Sequence, residues 1–372
     1  MMRVALVHDW LTGMRGGEKT LEVLSQRFAG ADLYTLVHVK GSVSPVIEQH
    51  PIHTSIVQWL PAVRRAYRHY LLTFPTAIEW LDLDGYDLVI STSHCAAKAV
   101  IAPKARHLCY CFTPMRYAWD QFDAYFGPAR LGRPGSRLAG LAMRHLARWD
   151  RATAGRVNRY VAISHYVARR IRRYYNREAL VVYPPVDTGF YYPDGRPPGA
   201  YALVVSALVP YKRVDVAIEA AHLAGIPLKV VGDGPERARL TAFGRRVGAD
   251  VQWLGRVADE DVRELYRGAA AVVLPGEEDF GIVPVEAQAC GRPVVALGRG
   301  GARETVVPGT TGILVDEITP DALAAGLKTA VTTSYDSAAI RAHAEQFGFE
   351  RFLSGVTTAV NDMWALPQDT RW

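Results

Sequence analysis

Short apolar runs alternate with amphipathic stretches along most of the chain. The short runs predict buried strands, and between them apolar residues recur at helical spacing. In the first half, the predicted strands are 4–7, 33–39, 86–91, 107–111 and 160–164, with helices at 18–28 and within 136–175. Strands that are separated by helices predict parallel βαβ units and a doubly wound sheet.

Prolines interrupt this alternation near the middle of the chain, at 183–187 and 193–199. Because proline stops both helices and strand ladders, we place a domain boundary near 185–200. After it, the predicted strands are 201–205, 228–231, 251–254, 271–274, 293–296 and 312–314, with helices at 214–224, 236–247, 259–267 and 284–289. The sequence therefore predicts an α/β protein with two Rossmann-like domains, 1–190 and 191–351, that face a central cleft holding the ligand.

Composition leaves this picture unchanged. Of the 372 residues, 49% are hydrophobic and 22% are charged, as in ordinary globular proteins. No apolar run approaches the roughly 20 residues of a membrane-spanning helix. The four cysteines show no metal-binding spacing, and the first residues read as a strand, not as a signal peptide. We therefore expect reduced cysteines and a cytoplasmic protein.

The distribution of charge is more informative. The net charge of +6 divides into +11 for residues 1–200 and −5 for the remainder, and 116–178 contains 14 arginines against four acids. Two interpretations stay open: solvated helix faces, or docking of the 130–177 region on anionic lipid at the inner face of the cell membrane. Nucleic acid is not expected, since no recognition motif accompanies the basic region.

The most specific motif lies at 276–291. Glu278 follows a predicted strand, and Glu286 lies eight residues later in a predicted helix. Amides at a helix N-terminus bind phosphate oxygens, and carboxylates accept hydrogen bonds from sugar hydroxyls. Taken alone, the two acids would be a solvated loop residue and a surface helix residue.

Together with its flanking residues, this stretch resembles the E-x7-E signature of the family 4, or group 1, retaining glycosyltransferases. The resemblance implies a GT-B fold and transfer with retention, without a metal or other cofactor, from a nucleotide-sugar co-substrate. It also implies that Glu278 and the amides of Phe280, Gly281 and Ile282 hold the sugar, while Glu286 binds the ribose hydroxyls.

Other donor-side segments extend the resemblance. Gly232 lies in a segment similar to the glycine turn of the family, the run Gly255, Arg256 and Val257 resembles its base-binding turn, and 300–304 resembles its late Gly-Gly-x-x-Glu loop. In the diphosphate loop, 206–213, Lys212 matches the usual lysine but Ala207 replaces the usual arginine. We therefore expect Arg213 to supply the second positive charge.

The first domain would provide the acceptor side. Gly16 and Gly17 resemble the glycine pair that approaches the donor phosphate. The predicted acceptor-side residues are Asp9, His94 and Arg116. Phe112 stands where many relatives have a histidine, and a structural role for His94 remains open. The resemblance also implies that a C-terminal helix, about 352–372, packs back on the first domain.

The donor and acceptor are less specified. The segments 277–286 and 211–213 are similar to mannosyltransferases of bacterial O-antigen and exopolysaccharide assembly, so GDP-mannose is the first expected donor and a UDP-hexose the second. The expected acceptor is a saccharide, free or linked to polyprenyl diphosphate. Two alternatives are a catalytically silent nucleotide-sugar-binding subunit and a sugar-nucleotide epimerase. We expect no metal at the Asp-x-Asp of 82–84, where acids are common turn residues.

Overall fold

A computed structural model describes residues 2–367 of the chain. It divides into two compact units: unit 1 contains 2–185 with 352–367, and unit 2 is Val186–Arg351. Each unit has its own parallel sheet and core.

Unit 1 contains seven strands, and all their pairings are parallel. They are β1 Val4–His8, β2 Asp32–Thr35, β3 Ile52–Thr54, β4 Leu88–Ser93, β5 Arg106–Cys111, β6 Arg159–Ala162 and β7 Ala179–Val181. Their order across the sheet is β3-β2-β1-β4-β5-β6-β7. All six residues of β4 are buried, as expected for a central strand with helices on both faces.

The α-helices between these strands are mostly short. They are α1 Gly16–Arg27, α2 Pro45–Glu48, α3 Val63–Ala66, α4 Phe74–Glu79, α5 Arg116–Trp119, α6 Phe122–Phe126, α7 Pro128–Ala152 and α8 His165–Tyr175. Tight 3-10 turns at Ile56–Trp59 and Tyr67–Thr73 flank α3. The long helix α7 is interrupted at Gly132, whose φ is +67°.

Unit 2 contains six parallel strands in the order β10-β9-β8-β11-β12-β13. They are β8 Ala202–Val205, β9 Leu228–Val231, β10 Val251–Gly255, β11 Ala271–Leu274, β12 Val294–Leu297 and β13 Gly312–Val315. The helices of unit 2 are α9 Val214–Ala224, α10 Arg237–Val247, α11 Asp259–Gly268, α12 Ile282–Ala289, α13 Ala302–Thr305, α14 Pro320–Thr332 and α15 Ser337–Ala344. The last helix, α16 Phe349–Trp364, begins in unit 2 and belongs mostly to unit 1.

The predicted fold class is confirmed, since both sheets are parallel and doubly wound. The strand predicted at 33–39 is wrong in its second half, because β2 ends at Thr35. Beyond that residue the chain pairs with the segment after β1: Leu11 N donates to Val37 O, and Val39 N donates to Leu11 O.

The last helix, α16, packs against unit 1 through its C-terminal part. The Phe352 ring meets the Tyr110 ring edge to face at 5.4 Å, and the Arg106 guanidinium donates to Leu366 O at 2.6 Å. The helix ends at Trp364, earlier than the predicted range of about 352–372, and residues 368–372 of that range lie outside the described residues.

Candidate functional site

The strand order of unit 2 creates a crevice at the carboxyl ends of β8 and β11. From β8 the chain winds outward to β9 and β10, and it then returns to the other side of β8 as β11. In open parallel sheets, ligands bind where the winding reverses in this way. The loops that follow β8 and β11, 206–213 and 275–281, carry the predicted Lys212 and Glu278.

Lys212 and Glu278 are brought together at this crevice. The Lys212 ammonium contacts Glu278 Oε1, and their side chains are 20% and 14% exposed. Two opposite charges therefore meet, partly buried, although 66 residues separate them in the sequence. A ligand at this position would find a cation for a phosphate beside an anion for hydroxyl groups.

Glycines allow the loops to approach the Glu278 segment closely. A Cβ on Gly276 would lie 2.8 Å from Tyr211 O, and a Cβ on Gly301 would lie 2.3 Å from Phe280 Cα. The Gly301 amide also donates to Glu278 O at 2.8 Å. Side chains at the two glycines would push these backbones apart, so the glycines help to define the geometry around Glu278.

Helix α12 begins beside Glu278. Gly281 precedes the helix with φ +91°, a conformation that favours glycine, and Ile282 is its first residue. Phe280 is buried and lies 5.6 Å from the Phe347 ring, which fixes the entry of the chain into the helix. The first amides of such a helix have no intrahelical partner and are suited to bind anions.

Glu286 lies on the buried side of α12. Its side chain is nearly inaccessible, and Glu286 Oε2 accepts a hydrogen bond of 2.9 Å from the Tyr266 hydroxyl of α11. Burial raises the pKa of Tyr266 well above its usual range, so this hydroxyl remains a donor. Tyr266 was not recognised in the sequence, because an isolated tyrosine 20 residues away from Glu286 gives no signal.

The predicted glycine turn supports the 206–213 loop. A Cβ on Gly232, which has φ +118°, would lie 2.0 Å from Ser206 O, and Leu208 N donates to Asp233 O at 3.0 Å. The Gly232 amide donates to Gly255 O at 2.7 Å. The turns at 232–234 and 255–257 are therefore adjacent, and Arg256 and Val257 follow β10 at the same edge of the sheet.

Arg213 lies next to Lys212 but faces a different partner. Its backbone is left-handed, with φ +49°, at the start of α9. Its guanidinium lies 3.3 Å from Asp215 Oδ1, and its side chain is 40% exposed. Ala207, which replaces the usual arginine, is exposed on the same loop.

A second crevice lies in unit 1, where the winding reverses between β1 and β4. Asp9 follows β1 here and is fully buried. Its carboxylate accepts four backbone N–H bonds of 2.6–2.9 Å, from His94 and Cys95 on Oδ2 and from Ala96 and Ala97 on Oδ1. Burial alone would raise the pKa of Asp9, but His94, through its ring and its backbone amide, outweighs burial and, with a smaller contribution from His8, holds the pKa below its usual range.

His94 is oriented by this carboxylate. His94 Nδ1 lies 3.0 Å from Asp9 Oδ2, and the His94 side chain is 30% exposed. The Trp10 ring meets the His94 ring nearly perpendicularly at 4.4 Å. Because ionised Asp9 only accepts hydrogen bonds, Nδ1 carries a proton, and in the neutral ring Nε2 is free to accept one.

His8, at the end of β1, is a buried histidine that sequence reasoning missed as a site candidate. Its Nδ1 lies 2.7 Å from Thr92 Oγ1, and its Nε2 is buried without a hydrogen-bond partner in the described part of the chain. Burial is the main cause that lowers the pKa of His8 to about 3. His8 is therefore uncharged at neutral pH.

Gly17, in the first turn of α1, lies over His8 and Phe112. A Cβ on Gly17 would be 3.5 Å from the Phe112 ring and 3.6 Å from His8 Cε1. Gly16, before it, is the first residue of α1. The structure thus brings the predicted glycine pair close to the ring at position 112.

The segment after β5 carries Arg116, which is half-buried at the start of α5. The segment is held by Asp120, whose carboxylate contacts the Arg170 guanidinium and the Tyr174 hydroxyl of α8. Arg170 is therefore structural, although it belongs to the arginine-rich region.

Within residues 2–367, no group of three or more His, Cys, Asp and Glu side chains is arranged to hold a metal ion. At 82–84, Asp82 Oδ1 accepts the Asp84 amide at 3.0 Å, as turn residues do. None of the described helices is long and apolar enough to cross a membrane.

Two family models together match most of the chain. Residues 14–190 match the model described as Glycosyltransferase Family 4, and 196–347 match Glycosyl transferases group 1. The boundary between the two matches falls close to the boundary between the two units.

Curated relatives match over part of their length. A D-inositol 3-phosphate glycosyltransferase of Geodermatophilus obscurus is 31% identical over 246 residues, 57% of this chain and 55% of that protein. An uncharacterized glycosyltransferase of Methanocaldococcus jannaschii is 30% identical over 168 residues, 45% and 47% of the two chains. The chain thus spans about half the length of the curated relatives that it matches.

Solved structures match over nearly the full length. Anabaena HepE in complex with UDP superimposes with a TM-score of 0.70 at 20% identity, covering 97% of this chain and 100% of that one. The lipopolysaccharide outer core galactosyltransferase WaaB superimposes with a TM-score of 0.66 at 18% identity, covering 97% and 99%. With both family models matching and both sheets in place, the chain belongs to the GT-B glycosyltransferases of group 1 and family 4.

Proposed function

We propose that the chain transfers a hexose from a nucleotide sugar to a saccharide acceptor, with retention at the anomeric carbon and without a metal. The observation that supports this most is the contact between Lys212 and Glu278 at the carboxyl edge of the second sheet. It offers a cation and an anion side by side, which suits the diphosphate and the sugar hydroxyls of one donor.

On the donor side, Lys212 stabilises the departing diphosphate, and Arg213 adds charge once its guanidinium turns from Asp215. Glu278 and the first amides of α12 bind the sugar. Glu286, with Tyr266 behind it, is assigned to the ribose. In a front-face displacement the departing phosphate oxygen takes the acceptor proton, so the protein contributes position and charge.

We infer that the donor is GDP-mannose, with a UDP-hexose as the second candidate. The first choice rests on the likeness of 277–286 to mannosyltransferases of surface-polysaccharide assembly. The second is supported by HepE, which has been solved with UDP-glucose.

On the acceptor side, we assign substrate contact to His94 and a positioning role to Asp9. The two carboxylate oxygens of Asp9 already bind four backbone amides and the His94 ring. The carboxylate therefore serves contacts inside the protein and not the substrate. His94 Nε2 would instead accept a hydrogen bond from an acceptor hydroxyl. Arg116 is the proposed contact for an acidic group, such as the diphosphate of a polyprenyl-linked acceptor.

We also propose that unit 1 docks on anionic lipid through α7. This helix presents an exposed face without acids, and the basic residues of that face are Arg133, Arg137, Arg144, Arg148 and Arg151. None of them forms an ion pair with another residue in the described ranges. Leu138 and Leu141, 70% and 59% exposed, lie on the same helix and would enter the interface of a bilayer.

A panel of GDP- and UDP-sugars tests the proposal. Purified protein is incubated with each donor, with and without EDTA, and released nucleotide is measured. We expect turnover of GDP-mannose above that of the other donors and no loss with EDTA. Binding of a donor without turnover, also in the presence of saccharide acceptors, would favour the silent nucleotide-sugar-binding subunit instead.

A further inference from the structure

A second surface of unit 1, separate from α7, exposes large apolar side chains. Residues 56–73 form a short helical segment that contains two 3-10 turns and α3. Ile56, Trp59 and Leu72 in this segment are 51%, 85% and 58% exposed. The Trp59 surface, as we call it, comprises Ile56, Trp59, Arg64, Arg65, Arg68 and Leu72.

The segment is held firmly from its inner side. Val57, Val63 and Tyr67 are buried in the core of unit 1, where the Tyr67 ring lies 5.1 Å from Trp10. The Tyr70 hydroxyl donates to Pro61 O at 2.7 Å and ties the second turn to the residues that follow the first. The exposure of Trp59 therefore belongs to a fixed structure, since three other side chains of the same segment are buried in the core.

The charges of the Trp59 surface have one sign. Arg64, Arg65 and Arg68 are exposed, and none of them pairs with an acid anywhere in residues 2–367. The sequence from 49 to 78 contains no Asp or Glu. A partner must therefore supply negative charge together with an apolar phase that receives Trp59 and Leu72.

We propose that the Trp59 surface inserts into the interface of an anionic lipid bilayer. Tryptophan rings favour the headgroup level of membranes, and arginines beside them attract anionic headgroups. A second copy of the chain that used the same surface is a poorer partner, because Arg64, Arg65 and Arg68 of the two copies would repel each other and residues 49–78 offer no acid. The inference deepens the proposed membrane docking and rests on it, but it assigns the insertion to a segment outside 130–177.

Quenching of tryptophan fluorescence by brominated lipid tests this directly. Full-length protein is mixed with vesicles of phosphatidylcholine and phosphatidylglycerol, in which the phosphatidylcholine carries bromine on its acyl chains. We expect the wild type to be quenched and Trp59→Phe to lose most of the quenching. Trp253→Phe, the same substitution at a half-buried tryptophan of unit 2, should behave as the wild type.

Substitution of the arginines of the Trp59 surface provides a second test. Arg64→Glu with Arg65→Glu should weaken vesicle binding by about tenfold or more, and vesicles of phosphatidylcholine alone should bind neither protein. Quenching that survives Trp59→Phe, or equal binding to neutral vesicles, would overturn the inference. So would dimerisation without lipid that Trp59→Phe abolishes, since the surface would then belong to a second copy.

Nucleotide release from a water-soluble donor separates this inference from the proposed function. Trp59→Phe should leave that release unchanged, because Trp59 lies outside the candidate site. If the wild type releases no nucleotide but shows Trp59-dependent quenching, the proposed function fails and the lipid surface stands.

Discussion

Glu278 and Glu286 belong to one motif, but their side chains have different surroundings. Glu278 is partly exposed and contacts Lys212 from another loop, whereas Glu286 is buried against the Tyr266 hydroxyl. The motif predicts that two acids are used together. Only the fold shows that one of them faces a cation and the other a neutral donor.

His94 gives a prediction for the acceptor side. His94→Ala should lower the rate of transfer by about tenfold, the effect of one lost hydrogen bond, without changing the KM of the donor. The measurement is transfer to a saccharide acceptor at varied donor and acceptor concentrations. His222→Ala, an exposed histidine of unit 2, is the control, and an equal loss in both variants would remove the proposed role.

His8 gives a prediction for stability against pH. Its folded pKa of about 3 lies below the usual 6.5, so below about pH 6.5 the unfolded chain binds a proton that the folded chain does not. Above about pH 6.5, His8 therefore does not lower the free energy of unfolding. Below that pH, His8 lowers it by about 1.4 kcal/mol per pH unit of acidification.

Thermal melting of the wild type and of His8→Leu, from neutral to mildly acidic pH, measures this term. The Thr92 hydroxyl keeps its bond to Val7 O in the variant, so the comparison isolates the imidazole. We expect the wild type to lose melting temperature faster on acidification. Parallel curves would contradict the pKa assignment.

Individual site residues could be predicted from the sequence only where they lie within a recognisable motif. Lys212, Glu278 and the glycines lie in such motifs, and their loops indeed adjoin in the structure. Tyr266 and His8 lie in ordinary helix and strand patterns, and their importance comes from burial and from contacts that span many residues. No local signal predicts those contacts.

At the scale of elements, the site depends on parallel strands that end at one edge. The sequence predicts β8, β9 and β11 closely, because each is a short apolar run between polar turns. It does not predict β3 and β7, which have three residues each at the edges of the sheet and little apolar pattern. It also does not predict α14, whose alanines and glycine give a weak helical periodicity.

Gly301 gives a prediction at this scale, because the segment that contains it packs closely against the Glu278 segment. Gly301→Ala would place Cβ against the Phe280 backbone, so either the 300–304 loop or the Glu278 segment must move. We expect a loss of stability of about 1–3 kcal/mol and weaker donor binding. Thermal melting and nucleotide titration measure both effects.

Gly30→Ala is the matched control, since a Cβ on Gly30 meets nothing within 4 Å. Normal donor binding by Gly301→Ala would show that the loop contact does not shape the site.

At the scale of the whole molecule, the two units share an architecture and differ in charge. Residues 1–200 carry +11 and the remainder −5. The structure divides the arginines of the first half further: Arg170 and Arg156 pair with acids inside unit 1, whereas those on the exposed face of α7 have no acidic partner among residues 2–367. The number of arginines follows from the sequence, but which of them pair with acids and which are exposed without an acidic partner follows only from the structure.

Charge reversal on α7 tests whether this asymmetry serves membrane docking. Arg144→Glu with Arg148→Glu should weaken binding to anionic vesicles by about tenfold or more at low salt, and added salt should weaken the wild type. Vesicle co-sedimentation measures this. Arg245→Glu with Arg246→Glu, exposed on α10 of unit 2, is the control, and an equal effect of both pairs would contradict docking through α7.

The pairing of Lys212 with Glu278 is the centre of the account, and turnover by Glu278→Gln tests it most directly. The substitution keeps the size of the side chain but removes its charge. We compare it with Glu277→Gln, the exposed neighbour, in a transfer assay with saturating donor, after both proteins have been shown to melt as the wild type does. The account predicts that kcat falls by about 10²-fold or more for Glu278→Gln and stays near the wild-type value for Glu277→Gln. Turnover of Glu278→Gln close to the wild-type value would contradict it.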